Sequence, residues 1–263
     1  MARNILTYFG STHADFLHAD GLRSTGIIIE HLEGQSGDSI LEIGFGTGAT
    51  LVELAHRLQN AKLHGLERSQ TMLEIAKKRI KASGFEDQIS LHKSSDTTYL
   101  FSEDQFDKVY VESVLAIQSD EDLKHILQSV KRWLKPGGLL ICNETIWMPH
   151  VPSSTIHEIN QKCLDQFGII QSNGSYPYSK DWEKLFQSMH FEIIQSNAIR
   201  LETDANFEQH KKSKLFTRKG KIRSKFNRNL QREWKEYERA MNEIIPPGSE
   251  LMEGWLFKLV NNK

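Results

Sequence analysis

Three glycines at alternate positions, Gly44, Gly46 and Gly48, mark the run ILEIGFGTGAT, directly after a strand-like segment and directly before a helix-like one. Glycines at such a turn let the backbone bend tightly and let a ligand approach without meeting a Cβ. The helix that follows presents its unpaired N–H groups. Glu67 stands 23 residues beyond Gly44, at the end of the next strand-like segment. A carboxylate there can accept hydrogen bonds from both hydroxyls of a ribose. Loop, helix and acid together point to a nucleoside site. The spacing alone leaves the nucleoside open, because Gly44-x-Gly46-x-x-Ala49 also satisfies the dinucleotide fingerprint of NAD enzymes in its G/A form.

The elements that must position these residues can be read on either side. Strand SILEIG (39–44), a helix from about 48 to 60, strand KLHGLE (62–67), a helix from Gln70 to about 82 and strand QISLHK (88–93) make a βαβαβ alternation. Such an alternation implies a parallel sheet with right-handed crossovers. FDKVYVES (106–113) reads as a fourth strand and GGLLICNET as a fifth. Between them DEDLKHILQSVKRWL carries Leu123, Ile126, Leu127, Val130 and Leu134 at helical spacing, and Lys135-Pro136-Gly137-Gly138 breaks that helix. Ahead of the glycine run, GLRSTGIIIEHLEG can place Leu22, Ile28, Ile29 and Leu32 on one helix face, so residues 1–37 read as a leading helix, or pair of helices, packed on a core. After residue 147 come a helix around 153–168, the turn-rich loop SNGSYPYS, helix DWEKLFQSM and strand FEIIQSNAIRL. A basic helical stretch then runs to about 245, Pro246-Pro247-Gly248 stops it, and LMEGWLFKLV makes a last strand.

These residues resemble the class I, Rossmann-like S-adenosylmethionine-dependent methyltransferase family, in its small-molecule branch. The family's first motif, an acid followed by alternate glycines, is matched by Glu42, Gly44, Gly46 and Gly48. Glu67 matches its ribose-binding acid, Ser95-Asp96 its adenine-binding position, Phe106-Asp107-x-Val109 its fourth-strand motif and Leu134-Lys135-Pro136-Gly137-Gly138 the turn before its fifth strand. The resemblance implies an α/β fold: a seven-stranded, mostly parallel sheet with helices on both faces and an antiparallel last strand. FEIIQSNAIRL and LMEGWLFKLV would supply strands six and seven. It implies an N-terminal helical lid over 1–37, a cofactor-binding core over 38–147, and over 148–263 an acceptor cap with the last two strands. S-adenosyl-L-methionine would be the donor and S-adenosyl-L-homocysteine the product. Glu42, Gly44, Phe45, Gly46, Gly48, Glu67, Arg68, Ser95, Asp96 and Glu112 are the residues expected to hold it. Phe45 departs from the family, where a small residue or Cys is common, and is expected to narrow the methionine end of the pocket.

A sulfonium donor carries an already electrophilic methyl group, so the protein mainly has to hold sulfur, carbon and nucleophile in line. Positioning of that kind can supply roughly 7–11 kcal/mol of the barrier. Carboxylates suit a cleft for a ligand that bears an ammonium and a sulfonium, which singles out Glu42 and Glu112. Glu112 falls at the C-terminal end of the fourth strand, the edge of an open α/β sheet where ligands bind. A phenol, enol or amine acceptor would gain from a general base. His13 and His18 in the leading segment, His150 past the fifth strand and Glu112 are the catalytic candidates, with Glu144 and Tyr176 behind them. Tyr8, Phe9 and Phe16 could form an aromatic lid.

Of the 263 residues 38% are apolar and 25% charged, the balance of a folded globular chain. No stretch approaches the roughly 20 apolar residues of a membrane span, MARNILTYFGS is too short in apolar residues for a signal peptide, and a cytoplasmic enzyme is expected. Cys142 and Cys163 form no CxxC; neither HxxxH nor HExxH occurs, and no resident metal is expected. Residues 210–230 hold nine Lys or Arg and no acid, which leaves 24 basic against 34 acidic residues elsewhere. That segment admits an anionic small-molecule acceptor, an acidic carrier protein, or RNA, with Phe216 and Phe226 interleaved among the cations. Against nucleic-acid chemistry, the chain reads Glu112-Ser113-Val114-Leu115 after the fourth strand, with no NPPY-like motif and no Pro-Cys nucleophile.

Overall fold

The apolar run SILEI forms β1 (Ser39–Ile43), and β2 (Lys62–Glu67), β3 (Ile89–Lys93), β4 (Phe106–Glu112), β5 (Leu134–Trp147), β6 (Phe191–Ala198) and β7 (Met252–Asn261) join it. The computed structural model describes residues 21–94, 101–199 and 210–263. The strands make one seven-stranded sheet in the order β3-β2-β1-β4-β5-β7-β6. Neighbours from β3 through β5 pair in parallel, and β7 runs antiparallel to both β5 and β6. The chain steps outward from β1 to β3 and then returns to β4. The crevice beyond the C-terminal ends of β1 and β4 is therefore the switch point where an open α/β sheet receives ligands.

The two-residue period of the strands feeds two cores. Leu41 and Ile43 of β1, Val109 and Val111 of β4 and Cys142 of β5 face one way, toward α4 (Asp120–Trp133) and α6 (Ser179–Ser188). Ile40, Tyr110 and Ile141 face the other, toward α1 (Gly21–Leu32), α2 (Ala49–Arg57) and α3 (Gln70–Ser83). A third cluster joins Trp147 to α5 (Ser153–Phe167) and to Ile244 at the end of α8 (Arg228–Ile244). The remaining helix, α7 (Lys211–Lys225), packs on α3. Caps follow the local chemistry. Ser69 accepts from Met72 N at the start of α3, Ser119 from Asp122 N at the start of α4, and Gly84 and Gly168 close α3 and α5 with positive φ.

Two expectations change. The fifth strand begins at Leu134, because the Lys135–Gly138 turn is a bulge inside it: Leu134 pairs with Phe106, and the next pairing is Leu139 with Lys108. Gly138 permits this, since a Cβ there would come within 3.1 Å of Asp107 O on the neighbouring strand. The basic stretch is two helices, because Asn227 caps a new one by accepting from Asn229 N and Leu230 N. The leading helix packs on the core as its apolar face implies, with Ile28 and Leu32 fully buried.

Candidate functional site

The glycine turn is held at both ends by backbone: Gly44 N donates to Leu66 O at 2.7 Å and Gly48 N to Phe45 O at 2.8 Å. Gly44, Gly46 and Gly48 have φ of 76°, 51° and 73°, the left-handed region that residues with a Cβ rarely enter. A Cβ on Gly44 would lie 2.3 Å from Val114 Cγ2, and one on Gly48 would lie 3.0 Å from Ala76 Cβ in α3. Two of these glycines are thus demanded by packing as well as by any ligand. Phe45 is a correction. Its ring turns away from the turn into the core and occupies the space that Gly65 leaves, where a Cβ would meet Phe45 Cδ1 at 2.5 Å. It cannot narrow a pocket from there.

Glu67 closes over this turn from the end of β2. Its Oε2 accepts from Gly46 N at 3.1 Å and its Oε1 from Ser69 N at 2.8 Å. Burial raises its pKa, and the N–H groups of Ser69, Gly46 and Arg68 work against that rise. Each oxygen keeps a lone pair for a further donor. Arg68 next to it has an exposed side chain.

Glu42 of β1 is buried, its Oε2 without a hydrogen-bond partner among the described residues. Burial pushes its pKa from 4.5 up to about 8, the adjacent Tyr110 hydroxyl lowers it, and the charges of Glu112 and Glu67 add to the rise. Tyr110 is the register neighbour of Glu42 on β4, placed beside the carboxyl without the geometry of a full hydrogen bond. Glu112 lies two residues on, on the same face of the sheet. Its Oε2 accepts from Thr25 Oγ1 of α1 at 3.3 Å and its Oε1 from Asn143 Nδ2 of β5 at 3.1 Å. Two buried carboxyls and a phenol thus converge beneath the glycine turn. Such a cluster is costly when all are charged and is suited to receive a cation.

The raised pKa of Glu42 makes a prediction with a definite sign. A folded-state pKa of about 8 against an ordinary 4.5 means a contribution to stability present in acid and lost as pH rises through the folded value. Glu42→Gln has nothing to ionise, so its melting temperature should gain on that of the wild type as pH is raised from about 5 to about 9. A difference that stays flat over that range would show Glu42 ionising normally in the fold.

Two secondary candidates have partners of their own. Glu144 follows Asn143, so the strand period sends it to the opposite face from Glu112. There its carboxylate, fully buried and with a pKa pushed up to about 7 by burial, accepts from Val114 N, Leu115 N and Ala116 N at 3.2, 2.9 and 3.1 Å. It pins the turn after β4 and with it Val114, the side chain set against Gly44. Tyr176 packs on the core beside Trp182. His150 stands in an exposed turn after β5, its side chain without a hydrogen-bond partner among the described residues. His13, His18, Ser95, Asp96, Tyr8, Phe9 and Phe16 lie outside the described residues.

Thr25, Asn143 and Tyr110 were not expected at the site, and neither was Arg79. Arg79 is fully buried on α3 and donates from Nε to Thr47 O at 2.9 Å and from its NH2 group to Thr47 Oγ1 at 3.3 Å, inside the glycine turn. The NH1 group reaches Ser213 Oγ at 3.0 Å and Thr217 Oγ1 at 3.1 Å on α7, and the guanidinium lies 4.9 Å from the Phe216 ring centre. One side chain fastens α7 to the back of the turn. Its signal in the sequence is an arginine at an otherwise apolar position, in step with Met72 and Ala76.

A sheet parallel from β3 through β5 with its crevice at β1 and β4, a triple-glycine turn and an acid at the end of β2 together make the frame of a Rossmann-like domain. Residues 40–138 match the family model described as a methyltransferase domain. The chain is 23% identical over 189 residues to Methyltransferase GfsG of Streptomyces halstedii, covering 72% of this chain and 65% of that protein. It is 26% identical over 178 residues to the demethylmenaquinone methyltransferase of Bacillus cytotoxicus, covering 62% of this chain and 74% of the relative. Among solved structures, phosphoethanolamine N-methyltransferase 2 of Haemonchus contortus in complex with S-adenosyl-L-methionine aligns with 98% of this chain and 57% of its own at a TM-score of 0.69 and 18% identity, a shared fold.

Proposed function

We propose that the protein is an S-adenosylmethionine-dependent methyltransferase that moves a methyl group to oxygen, nitrogen or carbon of a small-molecule acceptor by in-line displacement. The observation that carries this reading is the buried Glu42 oxygen, unpartnered among the described residues, beneath a turn of three positive-φ glycines. S-adenosylmethionine supplies an electrophilic methyl on a sulfonium. The chain's residues do the holding. Glu67 offers its remaining lone pairs to the ribose hydroxyls, Gly46 leaves the approach free of a Cβ, Glu112 sets negative charge where the ammonium and sulfonium must be neutralised, and Glu42, protonated in the free fold, ionises as the arriving cation lowers its raised pKa. Arg68, Ser95 and Asp96 complete the proposed cofactor set.

Residues 38–147 act as the cofactor core. The chain from 148 to 250, with the leading residues 1–37, covers the acceptor. Two relatives are named for small molecules, demethylmenaquinone methyltransferase and phosphoethanolamine N-methyltransferase 1 of Arabidopsis thaliana, which supports a small-molecule acceptor over nucleic acid. The test is thermal unfolding with added ligand. S-adenosylhomocysteine at about a hundred times its Kd should stabilise the protein by about 2.7 kcal/mol. Stabilisation by NAD with none by S-adenosylhomocysteine would overturn the proposal in favour of an oxidoreductase.

A further inference from the structure

Helix α7 is built the reverse way round from a helix on a soluble surface. Its buried stripe is small and polar, Ser213, Thr217 and Gly220, closed by Arg79 from α3. Its outward side carries Leu215 and Ile222, 50% and 48% exposed, and Phe226 just past its end is 84% exposed. At about 3.6 residues per turn Leu215 and Ile222 project within roughly 20° of one another, opposite the buried stripe, and Phe226 extends the apolar surface just past the helix end. Lys211, Lys214, Arg218 and Lys225 flank them on one side and Lys212 and Lys219 on the other, all exposed. An amphipathic helix ordinarily turns its bulky apolar residues inward. Single exposed apolar residues are commonplace, but an aligned row bordered by cations marks an interaction surface.

We propose that this face of α7 docks the protein on an anionic lipid bilayer, with Leu215, Ile222 and Phe226 entering the boundary between headgroups and acyl chains and the lysines lying over the lipid phosphates. An interfacial helix needs an apolar ridge with cations along both flanks, and that is the pattern on α7. Nucleic acid would use the lysines and leave Leu215 and Ile222 without a role. Among the described residues no helix is long and apolar enough to cross a membrane, so the association is with the surface. Arg79 fastens the docking helix to Thr47 of the glycine turn, which holds the domain rigidly to the docked helix.

The test is co-sedimentation of the whole chain with vesicles of phosphatidylcholine alone or with about 30% phosphatidylglycerol. The protein should pellet with the anionic vesicles, stay in solution with the neutral ones, and be released as salt is raised. The double variant Ile222→Ser with Phe226→Ser keeps every charge and alters exposed positions, so its melting temperature should stay unchanged while its affinity for the anionic vesicles falls by about tenfold or more. Lys219→Gln should cost about fivefold. Absence of pelleting with anionic vesicles at low salt overturns the proposal. So does vesicle binding indifferent to the double variant, or an RNA oligonucleotide bound more tightly than the vesicles. Vesicle binding is read without methyl transfer, so it stands or falls apart from the proposed activity.

Discussion

Glu67→Ala will weaken the binding of S-adenosylhomocysteine by about 1.5–3 kcal/mol for each ribose hydrogen bond lost to the carboxylate. At ~1.4 kcal/mol per factor of ten, the affinity falls at least about tenfold. The geometry enlarges the effect beyond the ribose. Glu67 also ties Gly46 N at 3.1 Å and Ser69 N at 2.8 Å, so its removal loosens the turn that the cofactor must meet. Titration calorimetry measures the loss, and the melting temperature of the ligand-free variant separates it from a loss of fold. Glu67→Gln retains one acceptor oxygen and should fall between wild type and alanine. Affinity unchanged in the alanine variant would remove Glu67 from the site.

Arg79→Ala will produce a large loss of stability, about 3–5 kcal/mol, because buried acceptors lose their donor at about 1–3 kcal/mol each and a large side chain leaves a cavity. The guanidinium is fully buried, and its deletion leaves Thr47 O, Ser213 Oγ and Thr217 Oγ1 without the donor they now share, along with a cavity beside Phe216. Arg79→Lys should recover only part, because an ammonium cannot reach the turn and α7 together as a planar fork does. The midpoint of urea unfolding reports the loss. A change below about 1 kcal/mol would show that α7 and the glycine turn stand without the link. S-adenosylhomocysteine binding should weaken too, since Thr47 sits between Gly46 and Gly48.

The order of elements was legible because local patterns control it. A strand flanked by glycines and a helix with apolar residues at its spacing leave few topologies once crossovers are right-handed, and the strand pairings followed. KLHGLE, FDKVYVE and the helix from Gln70 were readable nearly to the residue, whereas the Lys135–Gly138 run was misread as a simple break. Nothing in that run says which neighbour it will lie against, and a bulge is decided by the neighbour.

The glycine turn with which the chain is first recognised, and Glu67 beyond it, belong to what the sequence by itself determined, because backbone conformation there depends on residue type at adjacent positions. What surrounds them was decided only in three dimensions. Glu112 and Glu144, both legible as acids near strand ends, are separated because alternate side chains leave a sheet on opposite faces: the first joins Thr25 and Asn143 by the glycine turn, the second buttresses the loop after β4. Phe45 was sent into the core by the missing Cβ of Gly65, a residue 20 positions away. Arg79 found Ser213 and Thr217 across more than 130 residues of chain. Contacts of that range are set by how elements pack, and packing is a property of the assembled faces.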